Sequence, residues 1–241
     1  MSRKWMKVLL VAVFTVMFGN LAAVNLVDMY MDGGPFMHII AGLFVVMIVV
    51  ALVKFFQLSI TEKLDTKRFY LKLKGYIAND QFGEAVEISS QFKKTTMGFI
   101  FWNGLVAFLD AKKAGKKGFT LQKDVQNAFD EAGLQKMPSI EAGLFWLDII
   151  AQVATLLGLL GTIFGLVAAF DALANAPENL KQKMLTEGIS QAMGTTAWGL
   201  LVAIPTMGIK GALQAKADKI VNDIDEYSVK IINRISYKIE D

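Results

Sequence analysis

The side chains able to do chemistry inside the apolar stretches of this sequence are hydroxyls and an amide rather than charges. Thr155, Gly158, Thr162, Gly165 and Ala169 recur at steps of 3, 4, 3 and 4, the spacing of one helix face. A second stretch repeats the device with Ala192, Thr196, Gly199 and Ala203, and Gln191 stands beside it. Such faces serve two chemistries. Small residues let two helix backbones approach closely, with each threonine hydroxyl returned to a carbonyl of its own helix. Alternatively, the hydroxyls line a wet path or a cavity for another helix. The spacing leaves both readings open.

Charge narrows the choice. Residues 8–27, 33–53, 149–170 and 188–209 contain no Asp, Glu, Lys or Arg. Ionisable groups within a membrane are the usual mark of ion relays, so a proton path along this chain calls for a titrating carboxylate brought by another protein. His38, the single histidine, falls near one end of the second stretch and reads as an interfacial side chain. Glu141, Asp148 and Asp171 flank the third stretch as boundary anchors, and Trp102, Trp146 and Trp198 as interfacial or packing aromatics. No phosphate-binding loop, nucleophile constellation or metal-ligand cluster is present, so no catalytic residue, metal or cofactor is expected and the chain does not read as an enzyme. There is no cysteine, which excludes disulfides and thiolate sites.

These faces require elements that cross a bilayer. The chain has 241 residues, 54% of them hydrophobic, and a mean hydropathy of +0.43. Each uncharged stretch is about 20 residues, enough to cross roughly 30 Å of hydrocarbon at about 1.5 Å per residue. The first is the debatable one: basic SRKWMK before VLLVAVFTVMFG suits a signal peptide, but NLAAV is a poor cleavage site, which favours a retained helix. Lys and Arg concentrate in 54–143 and 210–241, whereas the connectors near 28–35 and 171–187 hold few. The positive-inside rule places the basic regions in the cytoplasm. Their lysines alternate with acids, as solvated faces do, so nucleic acid is not an expected partner.

Residues 58–143 read as helical. The pattern predicts a first amphipathic helix stopping at Gly75, a cap at Asn79 or Asp80, and a break at Pro138, with Ser139 capping a long helix into the membrane. In the tail, Leu213, Ala217, Ile220, Ile224, Tyr227, Ile231 and Ile235 form one apolar stripe. It must pack on the 58–143 helices or on a neighbouring subunit.

LLGLLGTIFGLVAAF (156–170) followed by GISQAMGTTAWGLLVAIP (188–205) resembles the paired signature of the MotA/TolQ/ExbB proton-channel family, nearest its ExbB/TolQ branch. GGPFMHII (33–40) and PSIEAGLFWLDIIAQVA (138–154) resemble the starts of its first two core helices. The resemblance covers about 33–213. It implies a subunit of a homopentameric ring around a dimer of an ExbD/TolR/MotB-like protein, whose single transmembrane helix carries an essential Asp. Ion flow between ring and dimer then does work in the periplasm, in some systems through a TonB-like protein. By motif position, Thr162 and Thr196 become pore-facing hydroxyls near that Asp. Gly158, Gly161, Gly165 and Gly199 permit close packing, and Pro205 ends the second motif, placed to kink it. Two departures stand out: Gln191 replaces a frequent Glu, and Thr155 a common Pro. Gln191 cannot titrate, which leaves a polar lining for the partner's Asp and keeps sodium open beside the proton.

The resulting expectation is an all-α, polytopic protein of the bacterial inner membrane. Residues 1–27 form an N-terminal transmembrane helix or signal-like segment, 33–57 a transmembrane helix and 58–143 a cytoplasmic helical domain. Residues 144–171 and 188–210 form the motif-bearing transmembrane helices, and 211–241 a cytoplasmic amphipathic helix. The ion pathway is assigned to Thr155, Thr162, Gln191 and Thr196, and helix packing to Gly158, Gly161, Gly165, Gly199 and Pro205. Competing expectations are a non-conducting scaffold that clamps a partner helix, a solute permease half and a sodium-driven motility stator. The short insert argues against the last.

Overall fold

Among the described residues, three helices are long and apolar enough to cross a membrane, within Gly34–Ala78, Gly118–Ala174 and Glu178–Tyr237. They belong to a computed structural model that describes residues 29–31, 33–175 and 177–240. The expected N-terminal segment, 1–27, lies outside the described residues. Every regular element among the described residues is helical: α1 Gly34–Phe56, α2 Thr66–Ala78, α3 Phe82–Gln91, α4 Thr96–Lys113, α5 Gly118–Lys136, α6 Pro138–Glu141, α7 Leu144–Asn175 and α8 Glu178–Glu240. A short π-helical stretch, Gln57–Thr61, follows α1.

The chain divides into two compact units, Met1–Ala51 with Phe145–Gly211 and Leu52–Leu144 with Ala212–Asp241. In the first, Ile40, Ala154 and Val202 form a core with Leu43, Leu157 and Trp198 packed against it. Much of the remaining apolar surface faces outward. Ile39, Val45, Val46 and Val49 of α1 are exposed, as are Leu156, Ile163, Phe164 and Val167 of α7. A continuous apolar exterior is what hydrocarbon or a neighbouring membrane helix accepts and water does not.

The second unit is a helical bundle with its own buried apolar core. Asp65 caps α2 by accepting from the Arg68 N–H at 3.1 Å, and the helix buries Phe69, Leu73 and Ile77. It continues past Gly75 to Ala78, contrary to the predicted stop. Gly75 faces open space, so it forgoes only intrinsic propensity. The next helix is led by Gln81 rather than by Asn79 or Asp80, because Asp80 takes a left-handed conformation (φ 58°) that turns the chain. Thr95 caps α4. The Glu62 carboxylate accepts from the Thr96 N–H at 2.9 Å and its hydroxyl at 2.8 Å, an acid at a helix N-terminus. Edge-to-face contacts link Phe69, Phe92, Phe101 and Phe129 through the core.

The tail stripe closes on this unit. Leu213, Ala217, Ile224, Ile231 and Ile235 are buried, Tyr227 stacks on Tyr70 at 4.7 Å, and Thr66 donates to Asp223 at 2.9 Å. No break separates this stripe from the preceding motif, since α8 runs unbroken from Glu178 to Glu240 through Pro205. A break does occur before α7, but not at the predicted place. Ser139 does not cap the long helix: its hydroxyl donates to the Lys136 carbonyl at 2.6 Å. The helix instead starts after Gly143, which has φ +86° and whose Cβ, were there one, would lie 2.8 Å from Lys54 Cε. Lys54 is nearly buried there and donates to Gln57 at 2.7 Å.

Candidate functional site

Helices α7 and α8 meet along their smallest residues. A Cβ at Gly158 would lie 3.1 Å from the Thr195 carbonyl oxygen and 3.1 Å from Thr196 Cα. At Gly161 it would lie 2.7 Å from Thr195 Oγ1, at Gly165 2.9 Å from Ala192 Cβ, and at Gly199 2.6 Å from the Ala154 carbonyl oxygen. The seam therefore runs through Ala154, Gly158, Gly161, Gly165 and Ala169 on α7, against Gly188, Ala192, Thr195 and Gly199 on α8. Those positions again follow 3–4 spacing, shifted from the predicted face by the replacement of both threonines with Ala154 and Gly161. The partner helix settles on the line of least side-chain volume, and Thr155 and Thr162 border it.

Each hydroxyl of the candidate site has an acceptor. Thr196 donates to the Gly158 carbonyl of the facing helix at 2.9 Å. Thr162, half-buried, donates to its own helix at Leu159, 2.6 Å away. Thr155, exposed, donates to Ala151 at 2.9 Å. Thr195 is buried and was not singled out from the sequence. It donates to Ala192 at 2.8 Å and lies 3.4 Å from the Gly158 oxygen. Its signal was available in Ala192, Thr195 and Gly199 at steps of 3 and 4, but the adjacent Thr196 fitted the competing register.

Charges mark the ends of the seam. Lys210 and Asp148 pair at 3.1 Å at one end, and Lys183 and Glu187 approach within 3.8 Å toward the other. Near that second end, Gln191 is exposed and lines a hollow of about 580 Å³ with Gly165, Ala169, Glu187, Gly188 and Ser190. Its amide nitrogen would lie 3.3 Å from a Cβ at Gly34, the start of α1. The structure thus separates Gln191 from the Thr196–Gly158 contact, placing it one hollow further along the same helix pair. His38 sits beside Tyr30, whose hydroxyl is 2.7 Å from Nδ1, and Tyr30 in turn meets Trp198 edge-on. Pro205 lies within α8, where the neighbouring Thr206 hydroxyl returns to Val202 at 2.6 Å. No group of three or more His, Asp or Glu among the described residues could hold a metal ion.

The assembled surface is a tight, uncharged seam bordered by hydroxyls. It can hold two helices together and can offer oxygen lone pairs along one side. By itself it supplies no group that exchanges a proton at ordinary pH.

Comparison with known proteins gives this geometry a context. The sequence model of the MotA/TolQ/ExbB proton channel family matches residues 103–226. Biopolymer transport protein exbB1 of Vibrio cholerae is 33% identical over 107 residues, 43% of this chain and 46% of that protein. Tol-Pal system protein TolQ of Haemophilus influenzae is 32% identical over 119 residues, 48% of this chain and 51% of that protein. A putative biopolymer transport protein ExbB homolog of Methanothermobacter thermautotrophicus is 25% identical over 201 residues, 83% of this chain and 67% of the relative. The chain thus spans about half the length of the first two.

Proposed function

From the premise that the chain belongs to the MotA/TolQ/ExbB proton channel family, on its ExbB/TolQ-like side, we propose that it is an ion-channel subunit of an energy-transducing motor in the inner membrane. Five copies surround an ExbD/TolR-like partner whose transmembrane helix carries an Asp. The 58–143 region and the tail face the cytoplasm. Proton flow past the partner's Asp is converted to mechanical work in the periplasm, either for transport through a TonB-like protein or for a Tol-type envelope function. The relatives' printed names favour these two over a motility stator.

One observation carries the reading. The α7–α8 seam is closed by glycines and bordered by Thr155, Thr162 and Thr196, with ionisable side chains only at its ends. A wall of that kind stabilises a cation through oxygen dipoles without trapping it by charge. It leaves the titrating step to a carboxylate from outside the chain. Thr162 and Thr196 are the oxygens we assign to the path, with Thr155 and Gln191 extending it.

A scaffold that only clamps a partner helix is the second reading. It is favoured by the fact that the hydroxyls of Thr155, Thr162 and Thr196 are all spent on backbone carbonyls. Each oxygen nevertheless keeps lone pairs for accepting. Vesicles containing the chain and its partner separate the readings. The channel takes up protons only when both proteins are present and the partner's Asp is intact, whereas a scaffold binds the partner and conducts nothing.

A further inference from the structure

The seam between α7 and α8 has two unlike flanks. On one, Leu157 of α7 and Trp198 of α8 pack against the core that Ile40 and Leu43 of α1 share. Two residues turn a helix by about 200°, so Thr155 and Thr196, each two positions earlier, belong to the other flank. There Thr155 is exposed, and Thr162 and Thr196 are half-buried. The hydroxyl line of α7 continues to Asp148, because 148, 155 and 162 recur at steps of seven, which keep to one side of a helix. On α8, Thr196, Ala203 and Lys210 recur at the same step. The two lines meet at their inner ends, where Lys210 Nζ lies 3.1 Å from an Asp148 carboxylate oxygen. The hydroxyl flank therefore ends on an ion pair that joins the two helices.

Neither charge of this pair is sealed off. The Lys210 and Asp148 side chains are 28% and 39% exposed, so water reaches both, and Asp148 stands one residue outside the uncharged stretch 149–170. On the channel reading given above, on which this inference rests, the pair marks the cytoplasmic mouth of the path. Conduction requires a site that accepts the ion and then lets it go. A carboxylate accepts a proton, and an ammonium beside it competes for the same oxygens. We propose that Asp148 is the relay carboxylate at the inner end of the path, with Lys210 as the counter-ion that hastens release. Each proton reaches Asp148 from water beside the hydroxyl flank and leaves to cytoplasmic water, and the carboxylate ends the passage ionised as it began. A mere staple between α7 and α8 would use the same two residues, but it predicts different behaviour in variants.

The test is proton uptake into vesicles holding the chain and its partner, driven by a more acidic exterior, with native mass spectrometry reporting assembly. Asp148→Asn lowers uptake at least about tenfold, a conservative floor for a lost proton acceptor, and Asp148→Glu retains it. Lys210→Gln keeps the carboxylate and loses less than Asp148→Asn. The double variant, Asp148→Asn with Lys210→Gln, links the helices again through its two amides and still takes up no more than Asp148→Asn. It also serves as the test where the single Asn variant does not assemble. Equal losses for Asp148→Asn and Lys210→Gln, both recovered in the double variant, assign the pair to a staple and overturn the proposal. So does uptake by an assembled Asp148→Asn complex equal to that of the parent. A parent complex that takes up no protons overturns the channel reading and this inference with it, whereas a conducting parent indifferent to Asp148 overturns this inference alone.

Discussion

The Thr196 hydroxyl and the Gly158 carbonyl lie 2.9 Å apart across two different helices. A side chain as short as threonine reaches backbone on a neighbour only where that neighbour has no side chain in the way. The glycine and the hydroxyl are therefore one device: the first brings the helices together and the second ties them. The same oxygen that donates to Gly158 keeps lone pairs directed elsewhere, so holding the helices does not exhaust it.

Removing that tie has a modest and specific cost. Thr196→Val should weaken the α7–α8 pairing by about 0.6–2 kcal/mol, the range for hydrogen bonds between membrane helices. Thr196→Ser should stay near the parent. Reversible unfolding in mixed micelles measures both, and equal losses for Val and Ser would show that the methyl group, not the hydroxyl, matters there.

Backbone proximity makes Gly199 less forgiving. A Cβ there meets the Ala154 carbonyl oxygen at 2.6 Å, and backbone cannot rotate aside as a side chain can. Gly199→Ala should destabilise by about 1–3 kcal/mol, the usual cost of overpacking. Gly75→Ala, in open space on α2, should stabilise by up to about 1 kcal/mol from helix propensity. Opposite shifts in unfolding midpoint are expected, and shifts of the same sign would contradict the packing account.

Gly143 carries two demands at once, a left-handed φ of +86° and contact with Lys54. Gly143→Ala should cost about 1–2 kcal/mol from backbone strain alone. Adding Lys54→Met, which removes the Nζ contacts to Gln57 and Ser139, should not restore the loss. Midpoints of the single and double variants in the same detergent provide the check.

These positions show what could be read from sequence. The α1 span, the apolar runs of α7 and α8 and the tail stripe from Leu213 to Ile235 follow from spacing and hydropathy, because one-dimensional periodicity decides which face is apolar. The register between α7 and α8 does not. Two interleaved lines of small residues, through Thr155 and Thr162 or through Ala154 and Gly161, satisfy the same spacing, and only the fit of the facing helix chooses between them. The turn at Asp80 and the break at Gly143 escaped for a related reason. Pro138 is the stronger local signal, yet a left-handed glycine five residues later sets where α7 begins.

In the second unit, the phenol of Tyr227 is held above its ordinary pKa of 10.0 by burial, reinforced by the carboxylates of Glu226 and Asp223. The folded protein therefore binds this proton more tightly than the unfolded chain. Its contribution to stability is complete below pH about 10 and is lost as pH rises through the folded value. Tyr227→Phe keeps the stack on Tyr70 and should flatten the fall of the thermal midpoint on the alkaline side. An unchanged alkaline slope would assign that slope to other groups.

The central claim is that an ion passes along the hydroxyl border of the seam, and Thr162 tests it most cleanly. Its hydroxyl is tied to its own helix at Leu159, so Thr162→Val changes polarity without unlinking α7 from α8. The decisive measurement is partner-dependent proton uptake into vesicles, with native mass spectrometry confirming that the complex is assembled. Uptake should fall at least about tenfold in an intact complex, the factor for losing one stabilising contact of about 1.4 kcal/mol to the moving ion. Uptake equal to that of the parent, in the same assembled complex, would contradict the account.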